Sequence, residues 1–273
     1  MFKSKKPLSL NRMIPNILTL LALCAGLTAI RYGLKAEFQK ACIAVAIAAL
    51  LDGLDGRVAR MLRGTSKFGA ELDSLSDFVC FGVVPAMLLY LWALQDVGGL
   101  GWAAVLLYCV ASASRLARFN TMLDDEAPPP WARNYFTGVP APAAAGSVLM
   151  PMMLSFEIDS TFFHHPVVVG FFLLMVGFLM VSTMPTFSFK KMRVSPKMVL
   201  PLMLIVGAFA AFLVTEPWLT LSAVIITYLG SIPLAFRNYR ALRARVIADN
   251  DDQGASPDAG DDLTPPSTAS GKN

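Results

Sequence analysis

The chain has 273 residues, of which 55% are hydrophobic and 15% are charged, and its formal net charge is +4. Soluble domains carry about 25% charged residues, so the composition excludes an ordinary water-soluble globular domain. The basic residues are spread over several separate segments instead of forming one patch, and we therefore expect no nucleic-acid partner.

The first segment, residues 1–14, is basic and polar, with apolar side chains interspersed at Phe2, Leu8, Leu10 and Met13. This pattern ahead of Pro15 predicts a short amphipathic helix that lies in the membrane interface. Anionic membrane lipids would attract its positive charge.

Eight apolar stretches follow, each long enough to cross a hydrocarbon core about 30 Å thick. They comprise residues 15–33, 39–59, 72–95, 99–121, 138–156, 166–187, 198–214 and 217–236. Each is expected to be helical, because a lipid-exposed strand would leave its backbone amides without partners. The predicted fold class is therefore all-α: a polytopic membrane helix bundle with about eight transmembrane helices.

Lysine and arginine residues alternate between the two sides of this predicted bundle. Basic clusters precede the first stretch and follow the second, fourth, sixth and eighth, whereas the other side receives only Arg31, Lys35 and Lys40. Short cytoplasmic loops retain positive charge. We therefore expect both the N-terminus and the C-terminus to be cytoplasmic.

The composition changes near residue 249, where Asp, Gly, Pro, Ser and Thr replace the large apolar residues. Such a segment cannot bury enough apolar surface to offset the entropy lost on ordering. We therefore divide the chain into an interfacial segment (1–14), one membrane domain (15–245) and a disordered acidic tail (246–273).

The second apolar stretch ends in a polar stripe. Asp52, Asp55, Gly56, Ala59 and Arg60 are spaced so that all five share one face of a helix. Carboxylates inside a membrane are energetically costly, and they usually mark a functional site. This face is therefore a candidate site at the cytoplasmic end of the bundle.

The next helix carries a matching stripe, because Gly69, Asp73 and Asp77 follow one another at intervals of four residues. A short antiparallel connection can place the two stripes face to face, so that four carboxylates converge. Converging carboxylates repel each other in a medium of lowered dielectric, which favours bound cations. Oxygen ligands of this kind suit Mg²⁺ or Mn²⁺, and four of them could hold two ions for phosphoryl chemistry.

Three neighbouring residues fit a phosphate substrate. Gly56 and Gly69 would let a diphosphate approach the backbone, and Arg60 could neutralise its charge. Each residue also has a structural explanation when taken alone: Asp55 could cap a helix, Arg60 could anchor the topology, and the glycines could pack helices together. Their common register favours a functional site.

The pattern Asp52-x2-Asp55-Gly56-x2-Ala59-Arg60-x8-Gly69-x3-Asp73-x3-Asp77 resembles the signature of the CDP-alcohol phosphatidyltransferases. The resemblance implies a homodimeric membrane enzyme with a six-helix core, to which this chain adds two helices. It implies that the four aspartates bind two metal ions and that Asp77 is also the catalytic base. It further implies CDP-lipid contacts at Gly56, Ala59, Arg60, Gly69, either Thr65 or Ser66, Asn16 and Thr19.

Residues 115–120, 136–142 and 180–190 resemble the serine-accepting members of that family. The implied reaction transfers the phosphatidyl group of CDP-diacylglycerol to the hydroxyl of L-serine and gives phosphatidylserine and CMP. Serine carries a carboxylate, so its pocket needs cationic or polar donors. The candidates are Arg115, Arg118, Asn120, Ser182 and Lys190, although the basic ones could also serve only as topology anchors.

Three alternatives stay open at this point. The same aspartates could serve another acceptor, such as glycerol phosphate, inositol phosphate or choline. A divalent-cation transporter or a purely structural membrane protein could also place carboxylates in a bundle, although transporter sites lie near the bilayer midplane. The expected location is the bacterial cytoplasmic membrane, with the site facing the cytoplasm.

Overall fold

A computed structural model of the chain describes residues 13–62, 66–124, 135–158, 160–182, 185–187 and 198–254. Ten α-helices occur within these ranges: α1 (Ile14–Leu34), α2 (Phe38–Met61), α3 (Lys67–Asp77), α4 (Val84–Leu89), α5 (Gly99–Asp124), α6 (Ala141–Ser155), α7 (Thr161–His164), α8 (Pro166–Val181), α9 (Val199–Thr215) and α10 (Pro217–Gly254). The predicted helical class is confirmed.

Two strands of three residues were not predicted. They are β1 (Tyr135–Thr137) and β2 (Pro185–Phe187), which pair antiparallel with Tyr135 opposite Phe187. The prediction of a helix over 166–187 was therefore too long. Helix α8 ends at Val181, the next residue Ser182 has extended backbone angles, and Pro185 cannot continue a helix.

The helix that begins with α3 is continuous from Lys67 to Val97 and changes its winding on the way. A π-helical segment, Phe78–Val83, joins α3 to α4, and a second, Tyr90–Leu94, leads into the 3-10 turn Gln95–Val97. The hydroxyl of Tyr108 on α5 donates a hydrogen bond of 3.0 Å to the carbonyl oxygen of Phe81. This contact provides a partner for a carbonyl inside the widened turn.

Each of the eight predicted stretches corresponds to one helix of the structure. Four helical segments are long and apolar enough to cross a membrane: Ile14–Leu34, Lys67–Val97, Gly99–Met122 and Pro217–Arg237. The other helices at predicted spans do not belong to these four. Helices α6, α8 and α9 are apolar but shorter, and α2 contains the charged residues Asp52, Asp55 and Arg57. The number of eight spans and the cytoplasmic location of both termini stay predictions.

Helix α1 packs through a stripe of small residues, Ala22, Gly26, Ala29 and Gly33, which recur at intervals of three or four. A Cβ atom on Gly26 would lie 2.6 Å from Sγ of Cys80, so the two helix backbones approach closely. The larger core joins residues of α4, α5, α6 and α8 with residues of α1, α2 and α10. Close packing of α1 keeps its polar residues near the start of the Lys67–Val97 helix.

The outer surface of the bundle is apolar. Leu200, Leu204 and Val214 on α9 have exposed fractions of 69%, 68% and 83%. A continuous apolar surface of this kind requires hydrocarbon and not water around it. The chain is therefore a membrane protein.

Helix α10 continues to Gly254, so the predicted start of the tail at residue 246 falls inside a helix. The remainder of the predicted tail, 255–273, lies outside the described residues. So do residues 1–12 of the predicted interfacial segment.

Candidate active site

Three aspartates from two consecutive helices meet at one end of the bundle. Asp52 and Asp55 lie near the end of α2 and Asp73 lies on α3, and each offers a carboxylate oxygen within 4.8 Å of the other two. Asp55 is buried, with 4% of its surface exposed, whereas Asp52 and Asp73 are half-buried. The two helical stripes therefore face each other, as their spacing predicted.

Asp77 extends the cluster by one helical turn. Its carboxyl group is within hydrogen-bonding reach of Asp52, and the Arg115 guanidinium of α5 is close enough to interact with it electrostatically. A direct contact between two carboxyl groups requires a shared proton or a cation. Asp77 thus interacts both with the other carboxylates and with a positively charged side chain.

The donor set fits a hard divalent cation. The cluster consists of aspartates alone, and neither histidine nor cysteine belongs to it within the described part of the chain. Carboxylate oxygens favour Mg²⁺ or Mn²⁺, whereas zinc and copper sites usually include nitrogen or sulfur ligands. The half-buried location limits competition from water for such an ion.

Helix α1 supports the cluster from behind. Oγ1 of Thr19 donates a hydrogen bond of 2.6 Å to Oδ2 of Asp55, and both side chains are buried. Oγ of Ser76 on α3 donates to the carbonyl oxygen of Thr19 at 3.3 Å. Thr19, which the family resemblance placed beside the CDP-lipid, therefore positions a carboxylate through a contact between helices.

Three of the predicted CDP-lipid residues meet at the start of α3. Ser66 caps this helix, since its Oγ accepts a hydrogen bond of 3.0 Å from the backbone N–H of Gly69. A Cβ atom on Gly69 would lie 2.7 Å from Oδ1 of Asn16 and 3.1 Å from Oγ of Ser66. A larger residue at position 69 would force the Asn16 side chain to move.

The other predicted CDP-lipid residues lie on α2. Gly56 and Ala59 are half-buried, and the Arg60 side chain is exposed. A Cβ atom on Gly56 would meet only Nη1 of Arg60, at 3.7 Å, so the backbone here is open to a ligand. Thr65 lies outside the described residues.

The predicted serine-binding residues do not form one group. Nη1 of Arg118 donates to the carbonyl oxygen of Val181 at 2.8 Å, and Nη2 donates to that of Ser182 at 3.3 Å, so Arg118 joins α5 to the end of α8. Nδ2 of Asn120 donates to Oγ of Ser74 on α3 at 2.9 Å. Arg115 is the candidate beside Asp77, and Lys190 lies outside the described residues.

Two serines of α3 were missed by the sequence analysis. Ser74 bonds to Asn120 and Ser76 bonds to the backbone of Thr19, so both fix α3 against its neighbours. Their position between Asp73 and Asp77 was a signal that could have identified them. Their partners, however, depend on contacts between helices.

Comparisons with known proteins agree with this geometry. A model of the CDP-alcohol phosphatidyltransferase family matches residues 12–230. The CDP-diacylglycerol–serine O-phosphatidyltransferase of Mycobacterium leprae is 39% identical over 249 residues, which cover 91% of this chain and 82% of that protein. The protein of the same name from Helicobacter pylori is 34% identical over 217 residues, or 80% of this chain and 88% of its own length. The archaetidylserine synthase of Methanothermobacter thermautotrophicus is 33% identical over 172 residues, with coverage of 62% and 67%.

Proposed function

Because the chain belongs to the CDP-alcohol phosphatidyltransferase family, we propose that it transfers the phosphatidyl group of CDP-diacylglycerol to the hydroxyl of L-serine. The products are phosphatidylserine and CMP. The observation that carries this proposal is the convergence of Asp52, Asp55 and Asp73 on one point at the end of two apolar helices. The choice of serine is supported by the names of relatives that match most of the chain.

Asp52, Asp55, Asp73 and Asp77 would hold two divalent ions, Mg²⁺ or Mn²⁺, which when bound would neutralise the diphosphate and stabilise charge on the departing oxygen. The support is the all-oxygen donor set and the contact between Asp52 and Asp77. Thr19 would keep Asp55 in its ligating orientation, since their hydrogen bond fixes the carboxylate from the protein side.

Asp77 acts as the general base in this proposal. It accepts the proton of the serine hydroxyl, and the serine oxygen forms a bond to the phosphorus that bears diacylglycerol. The bond from that phosphorus to the bridging oxygen of the diphosphate breaks, and CMP leaves with the electron pair. Arg115, which lies beside Asp77, is suited to attract the carboxylate of serine.

The CDP-lipid would bind across the ends of α2 and α3. Gly56 and Ala59 offer open backbone, and the exposed guanidinium of Arg60 can pair with a phosphate. Asn16, Ser66 and Gly69 lie close together at the start of α3. We also propose that the enzyme is a homodimer of the bacterial cytoplasmic membrane, that it contacts membrane lipids, and that its site faces the cytoplasm.

Two competing functions make different predictions. An enzyme that uses another acceptor alcohol would have the same aspartates. Sequence similarity alone therefore distinguishes such an enzyme poorly from one that uses serine. A cation transporter needs polar groups along a path across the membrane, whereas the cluster lies at the end of α2 and the start of the apolar Lys67–Val97 helix. The location of the carboxylates favours the transferase.

The test is CMP release by the purified protein in detergent with CDP-diacylglycerol and one acceptor at a time. L-serine, glycerol 3-phosphate, inositol phosphate and choline are compared, each with Mg²⁺, with Mn²⁺ and with a chelator. We expect release that depends on both serine and metal. Release with a different acceptor would replace serine, and no release with any acceptor would reopen the transporter and structural alternatives.

The Asp77→Asn variant tests the base in the same assay. It keeps the shape of the side chain but cannot accept the serine proton, so turnover should fall by roughly a hundredfold or more. Asp96→Asn, at the exposed far end of the same continuous helix, is the matched control and should retain activity. Substantial turnover by a well-folded Asp77→Asn protein would remove Asp77 from this role.

A further inference from the structure

A groove with a volume of about 290 Å³ separates α1 from α2 at the end of the bundle opposite the aspartate cluster. Its lining residues recur at intervals of three and four on each helix, so each helix contributes one face. The lining includes Ala25, Thr28 and Tyr32 of α1 and Lys40, Ile43 and Ile47 of α2. From Lys40 to Ile47 the groove extends about 10 Å along α2. This length fits within one leaflet of a hydrocarbon core about 30 Å thick.

The body of the groove is apolar and open to the membrane. Ile43 and Ile47 have exposed fractions of 49% and 46%. The hydroxyl of Thr28 donates a hydrogen bond of 2.7 Å to the carbonyl oxygen of Cys24 in its own helix. The polar atom of Thr28 therefore has a partner, and the surface that remains suits a hydrocarbon chain.

The mouth of the groove is surrounded by three cations: Arg31 in the last turn of α1, Lys35 directly after α1, and Lys40 in the first turn of α2. Glu37 is the one acidic residue in positions 14–51. It forms an ion pair of 2.9 Å with Lys40, the one ion pair within the described ranges. The hydrogen bond from Lys40 lowers the pKa of Glu37 most, and the charges of Lys35 and Arg31 lower it further. Three positive charges thus surround one carboxylate, so the mouth keeps an excess of positive charge.

The turn between the helices holds the backbone at this mouth in place. The backbone N–H groups of Lys35 and Glu37 donate to the carbonyl oxygen of Tyr32, and that of Ala36 donates to the carbonyl oxygen of Gly33. Ala36 has a φ angle of 58°, which is a strained, left-handed conformation for alanine. Such strain persists where the surrounding structure imposes it, and it is common at binding sites.

The two explanations given for the other basic clusters do not account for these cations. On the predicted topology they lie on the outer side of the membrane, where short loops carry few Lys and Arg residues. Lys40 and Asp52 are separated by about 18 Å along α2. A lipid whose phosphates lie at the aspartates therefore cannot reach this mouth, and the cations need a ligand of their own.

We propose that this groove binds one anionic phospholipid of the leaflet opposite the aspartate cluster. The lipid phosphate pairs with Arg31, Lys35 and Lys40, and one acyl chain lies along Ile43 and Ile47. The ring of Tyr32, whose centroid is 6.0 Å from Nζ of Lys40, lies at the level of the headgroups, as interfacial tyrosines do. A zwitterionic phospholipid has no net charge, so it gains less from the excess of positive charge. The site does not depend on the proposed reaction.

The test removes the two cations that lie outside the Lys40–Glu37 pair. Arg31→Gln/Lys35→Gln is compared with Arg31→Lys/Lys35→Arg, the matched control that keeps both charges. Thermal unfolding of the purified full-length protein in neutral detergent is followed while dioleoyl phosphatidylglycerol or dioleoyl phosphatidylcholine is added.

Each Lys or Arg near an anionic headgroup contributes about fivefold to the affinity. We therefore expect the phosphatidylglycerol concentration that gives half of the maximal stabilisation to rise by about 25-fold in the glutamine variant and to change little in the control. Equal stabilisation of the unmodified protein by the two lipids would overturn the proposal. So would equal half-maximal concentrations for the two variants.

Two further outcomes would assign the groove to another occupant. Glycerol 3-phosphate carries the same anionic group without acyl chains, and we expect it to give no stabilisation that depends on Arg31 and Lys35. Stabilisation that the glutamine variant loses would instead indicate a site for free anions. A glutamine variant that changes from dimer to monomer and keeps its response to phosphatidylglycerol would assign the groove to a second copy of the chain.

Cross-linking of the unmodified full-length protein keeps the proposal testable if the glutamine variant fails to fold. Phosphatidylglycerol with a photoreactive group near its glycerol backbone is the probe. We expect labelling on the groove faces of α1 and α2, between residues 25 and 47. Labelling confined to other helices would contradict the proposal. None of these measurements uses CMP release, so their failure is distinguishable from a failure of the proposed function.

Discussion

Thr19 adds a hydroxyl group, and no charge, to the aspartate cluster. Its short hydrogen bond to Asp55 joins α1 to α2, and the bond from Ser76 to its carbonyl oxygen joins α1 to α3. All three side chains are buried, so water cannot replace these contacts easily. One residue therefore holds together the two helices that carry the carboxylates.

Replacing Thr19 by valine should weaken metal binding. Valine has the same shape but no hydroxyl, so Asp55 loses its partner and its fixed orientation. Loss of such a supporting contact commonly lowers metal affinity by about 10-fold to 100-fold. The measurement is the Mn²⁺ concentration that gives half of the maximal thermal stabilisation, with Thr19→Ser as the control that keeps the hydroxyl. Equal values for the valine and serine variants would show that the hydrogen bond does not support a ligand.

Gly69→Ala should disturb the start of α3. Its new methyl group would approach Oδ1 of Asn16 to 2.7 Å, so the Asn16 side chain has to move. We expect a lower stability than that of the control variant below, together with a higher KM for CDP-diacylglycerol. The matched control is Gly53→Ala on α2, where a Cβ atom would meet nothing within 4 Å. Alanine favours a helix there, so Gly53→Ala should be neutral or stabilising.

Thermal unfolding in detergent and substrate titration measure both effects. If Gly69→Ala behaved like Gly53→Ala in both measurements, the close contact with Asn16 would have no part in the site.

The register of the aspartates could be predicted because the period of a helix fixes which residues share a face. The partner of Thr19 could not, because its contact depends on how α1 rotates against α2 and α3. That rotation is determined by small residues such as Gly26 packing on Cys80. Helical periodicity therefore predicts which aspartates share a face, but it does not predict which residue of another helix contacts them.

At the level of elements, the π-helical segment Phe78–Val83 begins directly after Asp77. A π turn is wider than an α turn, so it changes the direction of all residues that follow it relative to those before it. The hydroxyl of Tyr108 accommodates this widening through its bond to Phe81, and Tyr108 is fully buried. A contact with α5 therefore stabilises the widened turn that directly follows Asp77.

Tyr108→Phe removes this hydrogen bond and keeps the ring. The buried carbonyl of Phe81 would lose this partner, which should cost about 1–3 kcal/mol of stability. We also expect kcat to fall by a larger factor than KM changes. Tyr90→Phe is the control, since its ring packs edge-on against Trp102 and needs no hydroxyl for that contact. Denaturant unfolding and steady-state kinetics of the two variants decide the matter. A loss of stability without any change in kcat would limit Tyr108 to the fold.

The sequence predicted the helix over 72–95, and the structure extends it to Lys67–Val97. Its changes of winding could not be predicted, because a helix that is apolar on most sides gives no periodic signal for a widened turn.

The strands β1 and β2 were missed for a different reason. Each has three residues, and their pairing joins segments that lie about fifty positions apart in the chain.

For the whole molecule, the alternating basic clusters predict that the loop before α7 faces outward and that the start of α3 faces the cytoplasm. A membrane-impermeant maleimide should therefore label Ser160→Cys in intact cells and should label Lys67→Cys only after the membrane is opened. Both positions are at helix ends and are not buried. The unmodified protein gives the background, because its four cysteines lie in apolar helices. The reverse labelling pattern would invert the topology and place the aspartates outside the cell.

An apolar cavity of about 1040 Å³ among α2, α6, α9 and α10 could not be predicted from the sequence. The cavity lies between four helices, and in the sequence each of these helices is recognisable only as an apolar stretch. Their lengths set which segments can cross the bilayer, but the space left between them depends on side-chain packing across the bundle.

The ribosome synthesises the aspartates before the arginine that interacts with them. Thr19 and all four carboxylates belong to the first 77 residues, whereas Arg115, the cation beside Asp77, is synthesised later. At roughly 5–20 residues per second, the ribosome makes this arginine several seconds after Asp77. The helices that carry the carboxylates are therefore made before the one cation that the structure shows interacting with Asp77. Until Arg115 follows, a cation from the cytosol or a proton from water has to balance the charge of Asp77.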